Sequence, residues 1–214
     1  DLESISVSPD NPEYDSRYNC NAIIKTLTNE LVAGCPNTSI PKDVMRIGDH
    51  AFKGCVGLKS LVLPVGVTSI GEAAFADCSS LKSIVIPEGV SEIGVLAFSD
   101  CKSLTSVVIP HGVTKIEDET FYRCESLKSI TIPESVTNLE YNAFYMCYFA
   151  ADNFINHSSL QSYGGATIVD ADIDGLLITD STLIKCRPNV VSAVVPKGVV
   201  DINSAFKESP LLTT

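Results

Sequence analysis

One period runs through this chain. Pro41, Pro64, Pro87, Pro110 and Pro133 each stand 23 residues after the one before. Phe52, Phe75, Phe98, Phe121 and Phe144 keep the same step, as do Cys55, Cys78, Cys101, Cys124 and Cys147, and Leu58, Leu81, Leu104 and Leu127. Such a chain does not close around a single centre. Each unit buries its apolar face against its neighbours, and equal residues stack into columns. A length of 214 residues is large for one compact core and ordinary for a solenoid.

The unit reads P-x-G-V-T-x-I-G-x-x-A-F-x-x-C-x-x-L-x-S-I-x-I. In the copy from Pro64 to Ile86, Val67 and Ile70 form a short extended piece after a Gly-containing turn. The spacing predicts a turn or two of helix over Gly71 to Ala76, with Phe75 facing inward. Cys78 and Leu81 bring the chain back, and Ser83-Ile84-Val85-Ile86 alternates with strand periodicity. Pro87 has no N–H to donate and ends the strand. Stacked units give a parallel sheet on one side and short helices on the other, with strands ~4.8 Å apart.

The array has flanks. Leu2, Ile5 and Val7 match the spacing of Leu58, Leu61 and Leu63, so the chain is expected to start on a strand. Pro196, Gly198, Val199, Ile202 and Phe206 restart a unit. These partial repeats, 1–7 and 196–214, suggest neighbouring repeats in a longer parent protein. Two insertions interrupt the core repeats of 41–155, one at about 8–40 and one at about 156–195. Each reads as two short strands across a polar turn: Ile24-Lys25-Thr26 with Leu31-Val32-Ala33-Gly34, and Leu177-Ile178-Thr179 with Leu183-Ile184-Lys185-Cys186. Neither carries enough apolar residues for a core of its own, so the chain is one domain, 1–214, with hairpins that pair with the ends of the repeat sheet.

V-T-S-I-G at 67–71, A-F-x-x-C at 74–78 and L-K-S-I-V-I-P at 81–87, with their copies, resemble the BspA-type leucine-rich repeats of bacterial surface and secreted proteins. The resemblance implies an α/β leucine-rich-repeat solenoid with a parallel sheet and hairpin-bearing insertions. It also implies adhesion to host extracellular matrix or other cell-surface proteins, outside the cell.

Charge and cysteines narrow the chemistry. The net charge is −11, which argues against nucleic acid and anionic membrane surfaces, because phosphate binding needs clustered Lys and Arg. No apolar run approaches the roughly 18 residues of a membrane span. Asp1 starts the chain with neither Met nor signal peptide, the mark of a trimmed or processed piece. Of 8 cysteines, five share one repeat position beside Phe and Leu, where a thiol packs as a small hydrophobe. Cys20, Cys35 and Cys186 lie in or beside the insertions, and a Cys20–Cys35 bridge is the alternative to free thiols there. No C-x-x-C pair with a nearby His offers zinc a tetrahedral ligand set.

Other motifs read as structure. Asp170-Ala-Asp172-Ile-Asp174-Gly175 begins like a calcium loop, but Ser181 stands where such a loop wants Glu and the flanks are strand-like; an acidic turn is the expectation. His50, His111 and His157 are scattered, without a patterned nucleophile, and read as surface residues. Glu117-Asp118-Glu119 solvates a face. Phe52, Phe75, Phe98, Phe121, Phe144 and Phe206 form a spine, leaving no aromatic platform for a ligand. The expected protein is not an enzyme and carries no cofactor.

The sheet face remains. Within L-K-S-I-V-I, the Ser and the second-to-last residue should point outward. That gives a stripe of Ser60, Ser83, Ser106 and Ser129 beside a stripe of Val62, Val85, Val108 and Thr131, bordered by Lys59, Lys82 and Lys128. Glu72, Asp77, Asp100, Glu117, Asp118, Glu119 and Glu125 fall on the other side. A weakly apolar, Lys-rimmed face on an acidic molecule is a candidate binding patch, although Val and Thr also suit strands for packing reasons alone. Three functions follow: a non-catalytic protein-interaction module, a passive spacer in a larger surface protein, and, least supported, a carbohydrate-binding protein or enzyme using the insertions.

Overall fold

The structure is a computed structural model. It describes residues 2–140 and 142–147, and beyond them the backbone of four strands within 162–186. Each repeat contributes two strands. The three-residue strands β5 (Ser60–Val62), β7 (Ser83–Val85), β9 (Ser106–Val108) and β11 (Ser129–Thr131) form a parallel sheet in the order β11-β9-β7-β5. Its register is the repeat itself: Ser60 opposite Ser83, Leu61 opposite Ile84, Val62 opposite Val85. The two-residue strands β4 (Arg46–Ile47), β6 (Ser69–Ile70) and β8 (Glu92–Ile93) pair in parallel on a second side, as do β10 (Lys115–Ile116) and β12 (Asn138–Leu139).

The third side is not helical. Among the described residues the sole helical element is a 3-10 turn at Arg17–Asn19. Where the spacing predicted helix, four of the five repeats carry two left-handed residues and, among the described residues, the fifth carries one. His50, Ala73, Leu96 and Glu119 hold one position, with φ of 59, 49, 60 and 55°. Gly54, Asp77, Asp100, Arg123 and Met146 hold the other, with φ of 71, 62, 56, 55 and 58°. A left-handed residue breaks the i−4 bonding of an α-helix. The N–H groups then find other partners. Those of Ala73, Phe75 and Asp77 donate to the carbonyls of Val95, Ala97 and Ser99 in the next repeat at 2.9, 2.8 and 2.8 Å. Those of Ala76 and Cys78 reach back three residues, to Ala73 and Phe75. The A-F-x-x-C segment is therefore a ladder of stacked turns, with backbone bonds running along the solenoid.

The core lies between these three sides. Phe52, Phe75, Phe98, Phe121 and Phe144 are buried and stack with ring centroids 5.2–5.4 Å apart and planes within 9°. That spacing repeats the offset geometry aromatic pairs favour. Phe206 lies outside the described residues.

The two-residue sheet has one break. Gly71 N–H donates to Ile47 O, Gly94 N–H to Ile70 O and Glu140 N–H to Ile116 O, but no bond joins Glu117 to Ile93, and β8 does not pair with β10. The sequence explains the place. A Cβ at Gly94 would lie 2.7 Å from Glu72 N and 2.7 Å from Gly71 C, so the closely stacked rungs before β10 require glycine, whereas β10 and β12 pair again without it. Glu117 is the first rung without one. Beyond it, Lys115 Nζ bridges Glu117 at 2.8 Å and Glu140 at 2.9 Å.

The first insertion joins the two-residue sheet. β1 (Tyr14–Asp15), β2 (Ala22–Lys25) and β3 (Glu30–Gly34) form an antiparallel meander, and β3 then pairs in parallel with β4. Arg17 ties it down: it forks onto Asp15 at 2.8 and 2.6 Å and reaches Asn29 at 2.8 Å and Asp43 at 2.6 Å. Hydrogen bonding from Arg17 holds the Asp15 carboxyl down at about 2. At the other end β13 (Ser162–Tyr163) pairs with β12 in parallel, and β14 (Ala166–Ile173), β15 (Leu176–Thr179) and β16 (Thr182–Cys186) follow as antiparallel neighbours. Both expected hairpins are present and pair at the ends of this sheet, not of the three-residue one. Asp170 and Asp172 lie in β14 and not in a turn; Asp174 and Gly175 lie outside the described residues. So do His157 and the partial repeat 196–214. Residues 2–7 form no strand, although Ile5 and Val7 are half-buried between exposed neighbours.

Candidate functional site

The exposed sheet face assembles the residues that periodicity singled out. In β5, β7 and β9 the middle residue turns inward and its neighbours turn out. Leu61, Ile84 and Val107 are buried, whereas Val62, Val85 and Val108 are 77, 71 and 58% exposed. Ser60, Ser83, Ser106 and Thr131 are exposed with them, as are Lys59, Lys82 and Lys128. Ser129 holds the equivalent backbone position in β11, opposite Ser106; its side chain lies outside the described residues. Parallel in-register pairing brings the valines into one row. The lysines join through the backbone as well: Lys82 N–H donates to Lys59 O at 3.0 Å, and Lys128 N–H to Thr105 O at 2.9 Å.

The cysteines have a different task. The seven cysteines whose side chains are described are free and buried, Cys20 and Cys35 included. Cys78 Sγ donates to the carbonyl of Phe52 at 3.1 Å, Cys101 to Phe75 at 3.2 Å, Cys124 to Phe98 at 3.2 Å and Cys147 to Phe121 at 3.0 Å. Each Phe carbonyl also accepts the N–H of the Cys in its own repeat. The thiol thus fills the second lone pair of a buried acceptor. Burial pushes the Cys78 thiol up to about 12 and that of Cys101 well above the usual range. A thiol held protonated is a poor nucleophile and metal ligand. Residue spacing predicted the burial but not the acceptor, because the S–H···O bond crosses from one repeat to the next.

Among the described residues no group of three or more His, Cys, Asp or Glu is placed to hold a metal ion, and no helix is long and apolar enough to cross a membrane. His50 is exposed on a left-handed turn. His111 is exposed with Nδ1 3.3 Å from Glu88. One aromatic pair escaped the periodic reading: Tyr122 stacks on Tyr145 with centroids 5.6 Å apart on the turn side. The repeat position was visible, but Lys53, Ala76 and Ser99 occupy it in earlier copies and hide the pair.

The comparisons with known proteins agree with this geometry. No curated protein matches the chain. A leucine-rich cell surface protein from Faecalibacterium prausnitzii is 31% identical, with a TM-score of 0.61, over 76% of this chain and 42% of its own. This chain therefore spans less than half of that protein. The leucine-rich repeat protein of T. pallidum is 25% identical, with a TM-score of 0.52, over 74% of this chain and 71% of its own. A leucine-rich repeat protein from Eubacterium ventriosum shares the fold at 22% identity and a TM-score of 0.57, over 76% of this chain and 50% of its own. The sequence profile described as the BspA type Leucine rich repeat region matches residues 25–150 in 6 copies. With more than half of the chain inside that match, the protein belongs to the BspA-type leucine-rich repeat family.

Proposed function

We propose that this domain is a non-catalytic protein–protein interaction module of a bacterial cell-surface or secreted protein, and that it binds through the exposed face of β5, β7, β9 and β11. One observation carries the reading. Val62, Val85 and Val108 stand in a row at more than half exposure, while every other apolar column of the repeat is buried. A periodic apolar stripe left in water is not covered by the fold itself, and stripes of this kind mark interaction surfaces. Lys59, Lys82 and Lys128 border it on a molecule of net charge −11, which favours partners with acidic groups opposite that row. The partners in view are host extracellular matrix proteins or other cell-surface proteins, met outside the cell. The cell-surface description of the Faecalibacterium relative supports that location.

Retention of immobilised matrix proteins tests this. The wild-type domain should be retained, and a Val85→Glu, Val108→Glu variant should lose retention while keeping its circular dichroism. Equal retention of the two would remove the face from the site. The second reading is a passive spacer, favoured by the near-identical stacking of five repeats; absence of retention on any matrix or cell-surface protein would support it.

A further inference from the structure

The three-residue sheet stops one rung early. β5 pairs with β7 on one edge and with no strand on the other. By the repeat, Asn37-Thr38-Ser39-Ile40 before Pro41 corresponds to Ser60-Leu61-Val62-Leu63 before Pro64, so residues 37–40 should be the next rung. They form no strand because the first insertion has claimed their polar groups. Thr38 N–H donates to Cys35 O at 3.0 Å and Ser39 N–H to Cys20 O at 2.9 Å. Thr38 Oγ1 accepts from Cys35 N–H at 2.8 Å and donates to Asn21 O at 2.6 Å.

A cleft of about 430 Å³ lies between the two segments. Ser39, Ile40 and Lys42 form one wall, and Ser60, Val62 and Pro64 the other. An unpaired strand edge is a template for another chain. Here the far wall confines it. The volume is at the low end of the roughly 300–1,000 Å³ of small-ligand sites, room for a single extended chain and not for the sheet of a second domain. The charges select its chemistry. Lys42 is exposed on the wall and Lys59 is exposed directly before β5, and among the described residues neither is in an ion pair.

We infer that this cleft is a strand-addition site for an extended acidic peptide. The peptide backbone pairs with the open edge of β5, one apolar side chain seats between Ile40 and Pro64, and carboxylates lie beside Lys42 and Lys59. Main-chain pairing supplies affinity and the alternating side chains supply selectivity. The site shares Val62 and Lys59 with the end of the valine row but uses the edge of the sheet and not its face, and its test does not depend on the face binding anything.

The probe is a fluorescein-labelled hexapeptide of alternating Asp and Val, added to the full chain and followed by anisotropy. Saturable binding is expected. A peptide N-methylated at alternate backbone positions and the Lys42→Glu variant should each bind at least about tenfold more weakly. Ser39→Trp, an exposed position that fills the cleft, should abolish binding without unfolding the domain. Hydrogen exchange should slow at Ser60–Val62 on adding the peptide. No saturable binding, or equal binding of the N-methylated peptide, overturns the proposal. So does sedimentation showing that the protein dimerises and that Ser39→Trp abolishes the dimer, since the edge would then belong to a second copy.

Discussion

The turn side and the sheet face of this solenoid share one period and use it in opposite ways. On the turn side each repeating residue has a buried task. Phe stacks on Phe, and the Cys Sγ meets a Phe carbonyl one repeat back. Left-handed residues send alternate N–H groups into the next rung. On the sheet face the repeating Val62, Val85 and Val108 meet solvent. Regularity is thus not itself a sign of structure or of function. A column with every polar atom paired and every ring buried is explained by the fold. An apolar column left in water is not.

Substitutions on the two sides should separate accordingly. Phe98→Ala removes the centre of the stack and should cost about 3–5 kcal/mol in urea unfolding. A cost under about 1 kcal/mol would mean the ladder is dispensable and the contrast false. Gly94→Ala tests the close approach behind the sheet break. Its Cβ would lie 2.7 Å from backbone atoms of Gly71 and Glu72, so the rungs must part, at about 1–3 kcal/mol. Amide exchange should then quicken in β6 and β8, reproducing the opening already present at Glu117.

Cys78→Ala should cost about 1–2 kcal/mol at neutral pH, from a small void and the lost bond to Phe52. Its pH profile makes the prediction sharper. The folded thiol sits at about 12, above the 9.0 of an unfolded one. Folding therefore binds that proton more tightly, and the thiol's contribution is whole below pH 9 and declines as pH rises toward 12. The wild type should lose stability over that window more steeply than Cys78→Ala, measured as the difference in melting temperature. Parallel curves would mean the thiol is not held protonated by the fold. Val85→Glu should have the smallest effect on stability, within about 0.5 kcal/mol. A larger loss would make the valine row part of the core and withdraw the face as a site.

Much of this was legible in the residues. The columns that became the core, the strands ending before each proline, both hairpins and the outward valines all follow from period and alternation. The helices did not. Gly71 to Ala76 has the composition of a helical turn, and nothing local marks Ala73 or Asp77 as left-handed. Their conformation is supported by bonds to Val95 and Ser99, residues of another repeat. The cleft was hidden for the same reason. Residues 37–40 keep the repeat's proline and apolar spacing, but their donors go to Cys20 and Cys35.

The amino-acid sequence by itself determined the period, and with it which residues stack and which face carries valine. Period fixes side-chain columns because every rung repeats the same geometry. Only the tertiary structure decided where each backbone N–H finds its carbonyl. That choice turned an expected helix into stacked turns, parted the two-residue sheet at Glu117, and left one edge of β5 open. Those outcomes depend on what the adjacent rung offers: a carbonyl, a Cβ or an insertion that has already taken the donor.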